Sequence, residues 1–385
     1  MDRSWVEISR EALRANIRTL RAIAGHDRIL CAVVKANAYG HGIREAASVI
    51  ARDRAFCGIG TSHGWFGVDD LGEVLVLRGV GIVQPILVLG YVPVADARAV
   101  VRAGARVTIT MPETVRALAS AAQSLRRTVA VHVKVETGAQ RQGVSKRDLP
   151  AFLRMIERSD GLTLEGISTH LADVEDTGPD GFAHLQLERF DATVRIAERI
   201  VGRRLLRHAS ASAATILLPD ARFDLVRCGI SLYGLWSSQR VCDIMERRDR
   251  FVRLRPVLSW KTIVGPMHWV PRGAPVGYGC TERVRRRTRI AVLPVGYWDG
   301  YDRGLSSVGE VLIHGKRCKV IGRVCMNMIM VDVTDVPRVR LEDEVVLIGR
   351  QRRAEVTTDE LAGKIGTINY EIVTRINPLL PRRVA

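Results

Sequence analysis

Ile29-Leu30-Cys31-Ala32-Val33-Val34-Lys35-Ala36-Asn37-Ala38-Tyr39-Gly40-His41-Gly42 is an apolar run that ends in a lysine and then in a loop of small residues. The run predicts a buried strand, and the two glycines predict a tight turn behind it with close approach of the backbone to a ligand. A lysine amine stays protonated near its free pKa of about 10.4, and it becomes a nucleophile, as in a Schiff base, only when desolvated or crowded by other cations. The strand supplies desolvation, and Tyr39 adds a hydroxyl four residues on. Taken alone, Lys35 reads as an ordinary cap on a strand end, so its meaning depends on what the rest of the chain places around it.

Seven more strand-like runs follow, at 55–59, 86–89, 106–109, 129–135, 163–168, 205–208 and 225–228. Between them, and before the first, apolar residues recur at helical spacing in 10–23, 94–102, 112–122, 149–158 and 183–200. Strand and helix alternating eight times predict an α/β fold with an N-terminal (β/α)8 barrel over residues 1–238. A charged connector at 239–256 leads into residues 257–385, where short strands are punctuated by Gly and Pro. Runs at 258–264, 288–294, 310–313, 319–321, 328–333 and 344–348 predict a mostly β C-terminal domain, closed by a short helix at 358–363 and a strand or turn near 369–372.

The length of 385 residues exceeds the size at which single cores stop growing, so two domains are expected. Seven cysteines, an odd number without a Cys-x-x-Cys pair, fit reduced thiols better than a disulfide framework, and no metal-ligand set is expected. No signal core and no membrane-length apolar segment is present, which predicts a cytoplasmic enzyme without a membrane partner. The net charge of +17 invites a polyanion, but arginine is dispersed, and its densest cluster, 283–289, lacks interleaved aromatics. Nucleic acid is therefore not the expected partner, whereas an anionic substrate or cofactor gains from the same field.

Barrel active sites gather at the carboxyl ends of the strands. Lys35, Lys134, Arg141, His170, Ser212, Arg227, Gly229 and Ile230 all end or follow expected strands. Ser212, Gly229 and Ile230 suit phosphate, which barrels often bind behind their last two strands. Each has a bland alternative: a core histidine for His170, a helix cap for Ser212, an ion-pair residue for Arg227. Their joint placement is what points to a site.

Ordered motifs across nearly the whole chain resemble those of bacterial alanine racemases. They are Val34 to Gly42, Val135-Glu136-Thr137-Gly138-Ala139-Gln140-Arg141, His208-Ala209-Ser210-Ala211-Ser212, Val226-Arg227-Cys228-Gly229-Ile230, Val276-Gly277-Tyr278-Gly279, Pro294 to Gly300, Gly322-Arg323-Val324-Cys325-Met326 and Gly366 to Glu371. The resemblance implies a fold-type III pyridoxal 5'-phosphate enzyme that interconverts L- and D-alanine, supplying D-alanine for peptidoglycan, and a homodimer with shared active sites. It implies that Lys35 is the Schiff-base lysine and the D-side base, and that Tyr278, donated by the neighbouring subunit, is the opposing base. A histidine and arginine chain, here His170 and Arg227, would assist that tyrosine, and Arg227 would face the pyridine nitrogen. Tyr39, Ser212, Gly229, Ile230 and Tyr370 would hold the phosphate, and Arg141 and the Met326 N–H the substrate carboxylate. Lys134 would be carbamylated, and Tyr297 would line the entryway.

Several residues depart from the family pattern: Asn327 where an acidic residue is usual, Ala139 and Gln142 around the arginine, Trp298 in the entryway, and the segment 61–70. They leave room for a racemase of other amino acids such as serine, lysine or arginine. A basic-amino-acid decarboxylase on the same barrel fits less well, because the chain lacks that group's glycine-rich phosphate run.

Overall fold

The computed structural model describes residues 2–58, 64–174, 181–247 and 252–385. The chain forms two compact units, one of Leu13–Ala38 and Ala46–Arg255, the other of Met1–Ala12, Tyr39–Glu45 and Pro256–Ala385. The first residues and the loop behind Lys35 thus group with the C-terminal residues. Among the described residues no helix is long and apolar enough to cross a membrane.

The first strand, β1 (Ser4–Ile8), belongs to the second unit, and eight parallel strands then build the first: β2 (Ile29–Val33), β3 (Trp65–Val68), β4 (Ile86–Val88), β5 (Arg106–Ile109), β6 (Val129–Lys134), β7 (Leu162–Ser168), β8 (Leu206–His208) and β9 (Leu225–Cys228). They run in the order β8-β7-β6-β5-β4-β3-β2-β9. Hydrogen bonds from Asp224 N to Arg207 O at 3.1 Å and from Arg227 N to Ser210 O at 3.2 Å bring β9 back beside β8, so the barrel is nearly closed. Burial on both faces explains why β2 and β4 read as unbroken apolar runs rather than alternating ones.

The expected strand at 55–59 is not one. Asp53 accepts from Ala55 N at 2.9 Å and starts a helix, Arg54–Cys57, while residue 59 lies outside the described residues. The apolar character of that run serves packing instead, with Phe56 5.1 Å from Phe66 of β3. The second barrel strand lies in the segment 61–70, whose residues 61–63 also fall outside the described residues.

In the second unit β1 lies between β10 (Leu258–Ile263), antiparallel, and β20 (Arg382–Val384), parallel. Beyond β10 the sheet continues through β18 (Glu344–Gln351), β15 (Glu310–Ile313) and β16 (Lys316–Lys319), with β19 (Ala354–Val356) paired to β18. β11 (Met267–Val270), β14 (Thr288–Leu293) and β17 (Ile329–Asp332) form a second sheet, and β12 (Pro275–Val276) and β13 (Glu282–Arg283) a hairpin. The strand expected at 319–321 starts earlier, because left-handed His314 and Gly315 turn the chain straight back onto β15. Residues Asn369–Thr374 are helical, not strand, and a helix, Gln239–Arg247, occupies the connector.

Behind Lys35, Ala36 to Tyr39 all have φ near +53°, a left-handed turn that costs about 1–2 kcal/mol per non-glycine residue. It is tied down at both ends. Glu73 Oε1 accepts from Ala36 N at 2.6 Å, and Gly40 O accepts from Arg382 Nε at 3.0 Å. Gly40 has φ +81°, and a Cβ there would lie 1.8 Å from Val373 O. Gly40→Ala is therefore expected to lose about 2–4 kcal/mol in urea denaturation, well above the usual surface change; a loss below about 0.5 kcal/mol would contradict this packing.

Candidate active site

The carboxyl ends of the barrel strands carry a cluster of cations. Lys35 follows β2, and its Nζ donates to Asp69 Oδ1 at 3.1 Å, with both side chains about half exposed. Lys134 ends β6, and its Nζ donates to Gln142 Oε1 at 3.2 Å. Burial, then the fields of Arg141 and Arg227, push the Lys134 amine down to about 8. Burial likewise lowers His170, and Arg227, Arg141, Lys134 and Lys35 push it further, to about 3. These five residues therefore share one electrostatic environment, and His170 is neutral at physiological pH.

Arg227, in β9, is buried. Its guanidinium donates to His208 Nδ1 at 2.6 Å, Thr169 O at 2.9 Å and Ala209 O at 2.7 Å. Arg227 thus pairs directly with His208, while His170 lies within the field of the same guanidinium. Burial lowers Arg227 only to about 10, so it remains a cation. Beside it, Ser212 Oγ accepts from Gly229 N at 3.0 Å, at the start of a short helix, Ser212–Leu217. The buried hydroxyls of Ser210 and Ser231 have no hydrogen-bond partner among the described residues. Gly229 and Ile230 sit where β9 passes into a 3-10 turn, Ile230–Tyr233.

The remaining candidates belong to the second unit. The rings of Tyr39 and Tyr370 lie 6.0 Å apart. Tyr278 occupies the turn between β12 and β13, flanked by Gly277 and Gly279 at φ +74°, and is 73% exposed. Tyr297 N and Trp298 N donate to the carbonyls of Cys325 and Met326, each at 3.0 Å, which fastens the 296–299 turn to the segment carrying Met326. Gly296 permits this, because a Cβ there would meet Cys325 O at 2.3 Å. Asn327 lines a cavity of about 190 Å³ with Arg3 and Asp299.

"Alanine racemase, N-terminal domain" matches residues 8–237 and "Alanine racemase, C-terminal domain" matches 257–384. The chain belongs to the alanine racemase family. It is 42% identical to an alanine racemase of Symbiobacterium thermophilum over 379 residues, covering 98% of this chain and 96% of that one. Among solved structures it resembles alanine racemase of Clostridium difficile 630, with a TM-score of 0.90, 30% identity and coverage of 99% and 95%. A similar match is alanine racemase from Streptomyces coelicolor A3(2), with a TM-score of 0.88, 34% identity and coverage of 100% and 98%. As a member of the alanine racemase family it is a pyridoxal-phosphate-dependent racemase, an isomerase.

Asp69, in the segment whose strand lies elsewhere than expected, and Glu73, in the helix Leu71–Gly79 behind it, were not among the expected site residues. Nor was His132, a histidine inside the apolar run of β6. A polar residue at an inward position of a barrel strand is the signal that would have found it.

Proposed function

We propose that this protein interconverts L- and D-alanine by a two-base mechanism on pyridoxal 5'-phosphate. The observation that carries the proposal is the cation cluster of Lys35, Lys134, Arg141 and Arg227 beside a serine and backbone cradle. Positive charge in that amount fits an anionic cofactor, and the two partnerless buried hydroxyls, Ser210 and Ser231, fit a polar group between β8 and β9. When bound, pyridoxal 5'-phosphate supplies an aldehyde that condenses with amines and a ring that accepts the electron pair left when the α-proton departs.

The protein's own groups then divide the work. Lys35 would be the amine that holds the cofactor, and it would take or return a proton on the D-side face of alanine. Tyr278 does so on the opposite face, as racemisation requires, since the proton must leave one side and return to the other. Arg227, which keeps its proton, would face the ring nitrogen of the cofactor and favour return of the proton over loss of the amino group. Ser212, Gly229, Ile230, Tyr39 and Tyr370 hold the phosphate. Arg141 and the Met326 N–H bind the substrate carboxylate, and Tyr297 lines the entryway. A Lys134 amine near pKa 8 is partly neutral at physiological pH, the form that takes up carbon dioxide, which supports its role as the carbamylated lysine orienting Arg141.

The exposure of Tyr278 in the single chain supports a homodimer in which a partner subunit encloses it, giving shared sites. The proposed setting is the cytoplasm, where D-alanine is supplied for peptidoglycan.

Racemisation of alanine, serine, lysine and arginine in deuterated solvent tests the assignment. Alanine is expected to be fastest; if another amino acid leads, the enzyme is a racemase of different specificity. Visible absorbance that borohydride fixes to Lys35 is expected as well, and its absence would remove the cofactor from the proposal.

A further inference from the structure

The barrel interior holds a buried polar chain beyond the groups that reach the cofactor. His208 Nδ1 accepts from Arg227, His208 Nε2 lies 2.9 Å from His132 Nδ1, and His132 Nε2 lies 2.9 Å from Glu165 Oε2. Arg106 closes the far end, donating to both Glu165 oxygens at 2.7 and 3.0 Å while stacking 4.3 Å over Trp65. Arg106 opens β5, at the amino end of the barrel strands, opposite the loop of Lys35.

Donor and acceptor chemistry leaves one arrangement of protons. A guanidinium only donates, so His208 Nδ1 must accept and the His208 proton sits on Nε2. That proton faces His132 Nδ1, which must accept in turn, so the His132 proton sits on Nε2 and faces a carboxylate. Every bond in the chain donates toward Glu165. Protonating either ring a second time, or reversing either tautomer, sets two N–H groups against each other at one of these contacts.

The backbone is shaped for this chain. Along β6 and β7, Val131 pairs with Leu164 and His132 with Gly166, so Glu165 is the extra residue of a bulge. Bulges re-aim side chains, and this one delivers the carboxylate to His132. Gly166 makes room, because a Cβ there would lie 2.5 Å from His132 Nδ1. Burial works to raise the Glu165 pKa, but the hydrogen bonds from His132 and Arg106 outweigh it and hold the carboxyl ionised, at about 2.

We infer that Glu165 is a positioning residue for Arg227: its carboxylate fixes His132 and His208 as neutral Nε2–H tautomers and so holds the Arg227 guanidinium in a single orientation. Three of the five N–H groups of Arg227 are committed to this frame, and the rest are left for a ligand. The inference rests on the proposed role of Arg227 only where it concerns catalysis.

Nitrogen-15 spectra of histidine-labelled full-length protein test the frame without turnover. Both rings are expected as neutral Nε2–H tautomers from about pH 5 to about pH 9, where a free histidine changes charge. A wild-type spectrum with either proton on Nδ1, or with either ring titrating in that range, overturns the inference even if no variant folds. Glu165→Gln can offer an N–H to His132 Nε2 and so frustrate the chain. It should mix the tautomers and raise pyruvate release, the side reaction that leaves the amino group on the cofactor, by about tenfold relative to racemisation, the scale of one charge-assisted hydrogen bond. Unchanged tautomers with an unchanged ratio would sink the idea. Tautomers that respond in a protein without racemase activity would uphold the frame and instead overturn the proposed function.

Discussion

Tyr278→Phe is expected to cut α-hydrogen exchange from L-alanine by about 10²–10⁴-fold, the worth of a positioned base, while exchange from D-alanine, served by Lys35, persists. The asymmetry follows from the two faces of the reaction, since removing one base stops proton transfer on its side alone. Tyr278 is 73% exposed in a glycine-flanked turn, so losing its hydroxyl leaves no buried group orphaned and stability should hold. Free tyrosine titrates near 10, and a base at neutral pH needs cationic support from its surroundings. Deuterium wash-in from each enantiomer, followed by proton NMR, measures the effect. Equal loss for both enantiomers would show that Tyr278 supports the fold or the cofactor rather than one face of the substrate.

Acid is expected to destabilise the protein steeply below about pH 6.5. His132, His170 and His208 are all held below the ordinary histidine value of 6.5, mainly by burial. The folded state keeps them neutral while the unfolded chain protonates them, so unfolding takes up protons as pH falls. The stability these groups contribute is present above about 6.5 and is lost on acidification. His170 and His208, held furthest below 6.5, each add up to about 1.4 kcal/mol per pH unit below that value, and His132 acts in the same direction. Glu165 acts in the same direction lower down, its contribution being present above 4.5 and lost toward about 2. Urea unfolding across about pH 7 to about pH 5 checks this, and His208→Asn should flatten the slope. A stability independent of pH over that range would contradict neutral buried histidines.

Much of the architecture was legible because barrel strands and their covering helices carry opposite periodicities. The strands at Arg106–Ile109 and Leu225–Cys228 and the helix at Phe182–Val201 lie close to where the apolar spacing put them. The second barrel strand was not legible, because residues 55–59 are as apolar as a strand and only the Asp53 cap marks a helix there. β1 escaped notice for a different reason: its partners, β10 and β20, lie hundreds of residues away, and five alternating residues carry little local signal. At the site, the lysine, serine and arginine could be placed from strand ends alone. The His132 and Glu165 frame could not, since it depends on a bulge in register that no spacing within one strand discloses.

The place of β1 in its sheet bears on the order of synthesis. It precedes the barrel in the chain, yet its neighbours are Leu258–Ile263 and Arg382–Val384, so both its edges stay unpaired while the intervening barrel is being translated. The barrel unit, Leu13–Ala38 and Ala46–Arg255, precedes both β10 and β20 in the chain. A nascent chain therefore carries an open β edge until β10 and β20 dock, a template for other chains in the interval. Crowded expression should punish this protein at the ribosome rather than after release.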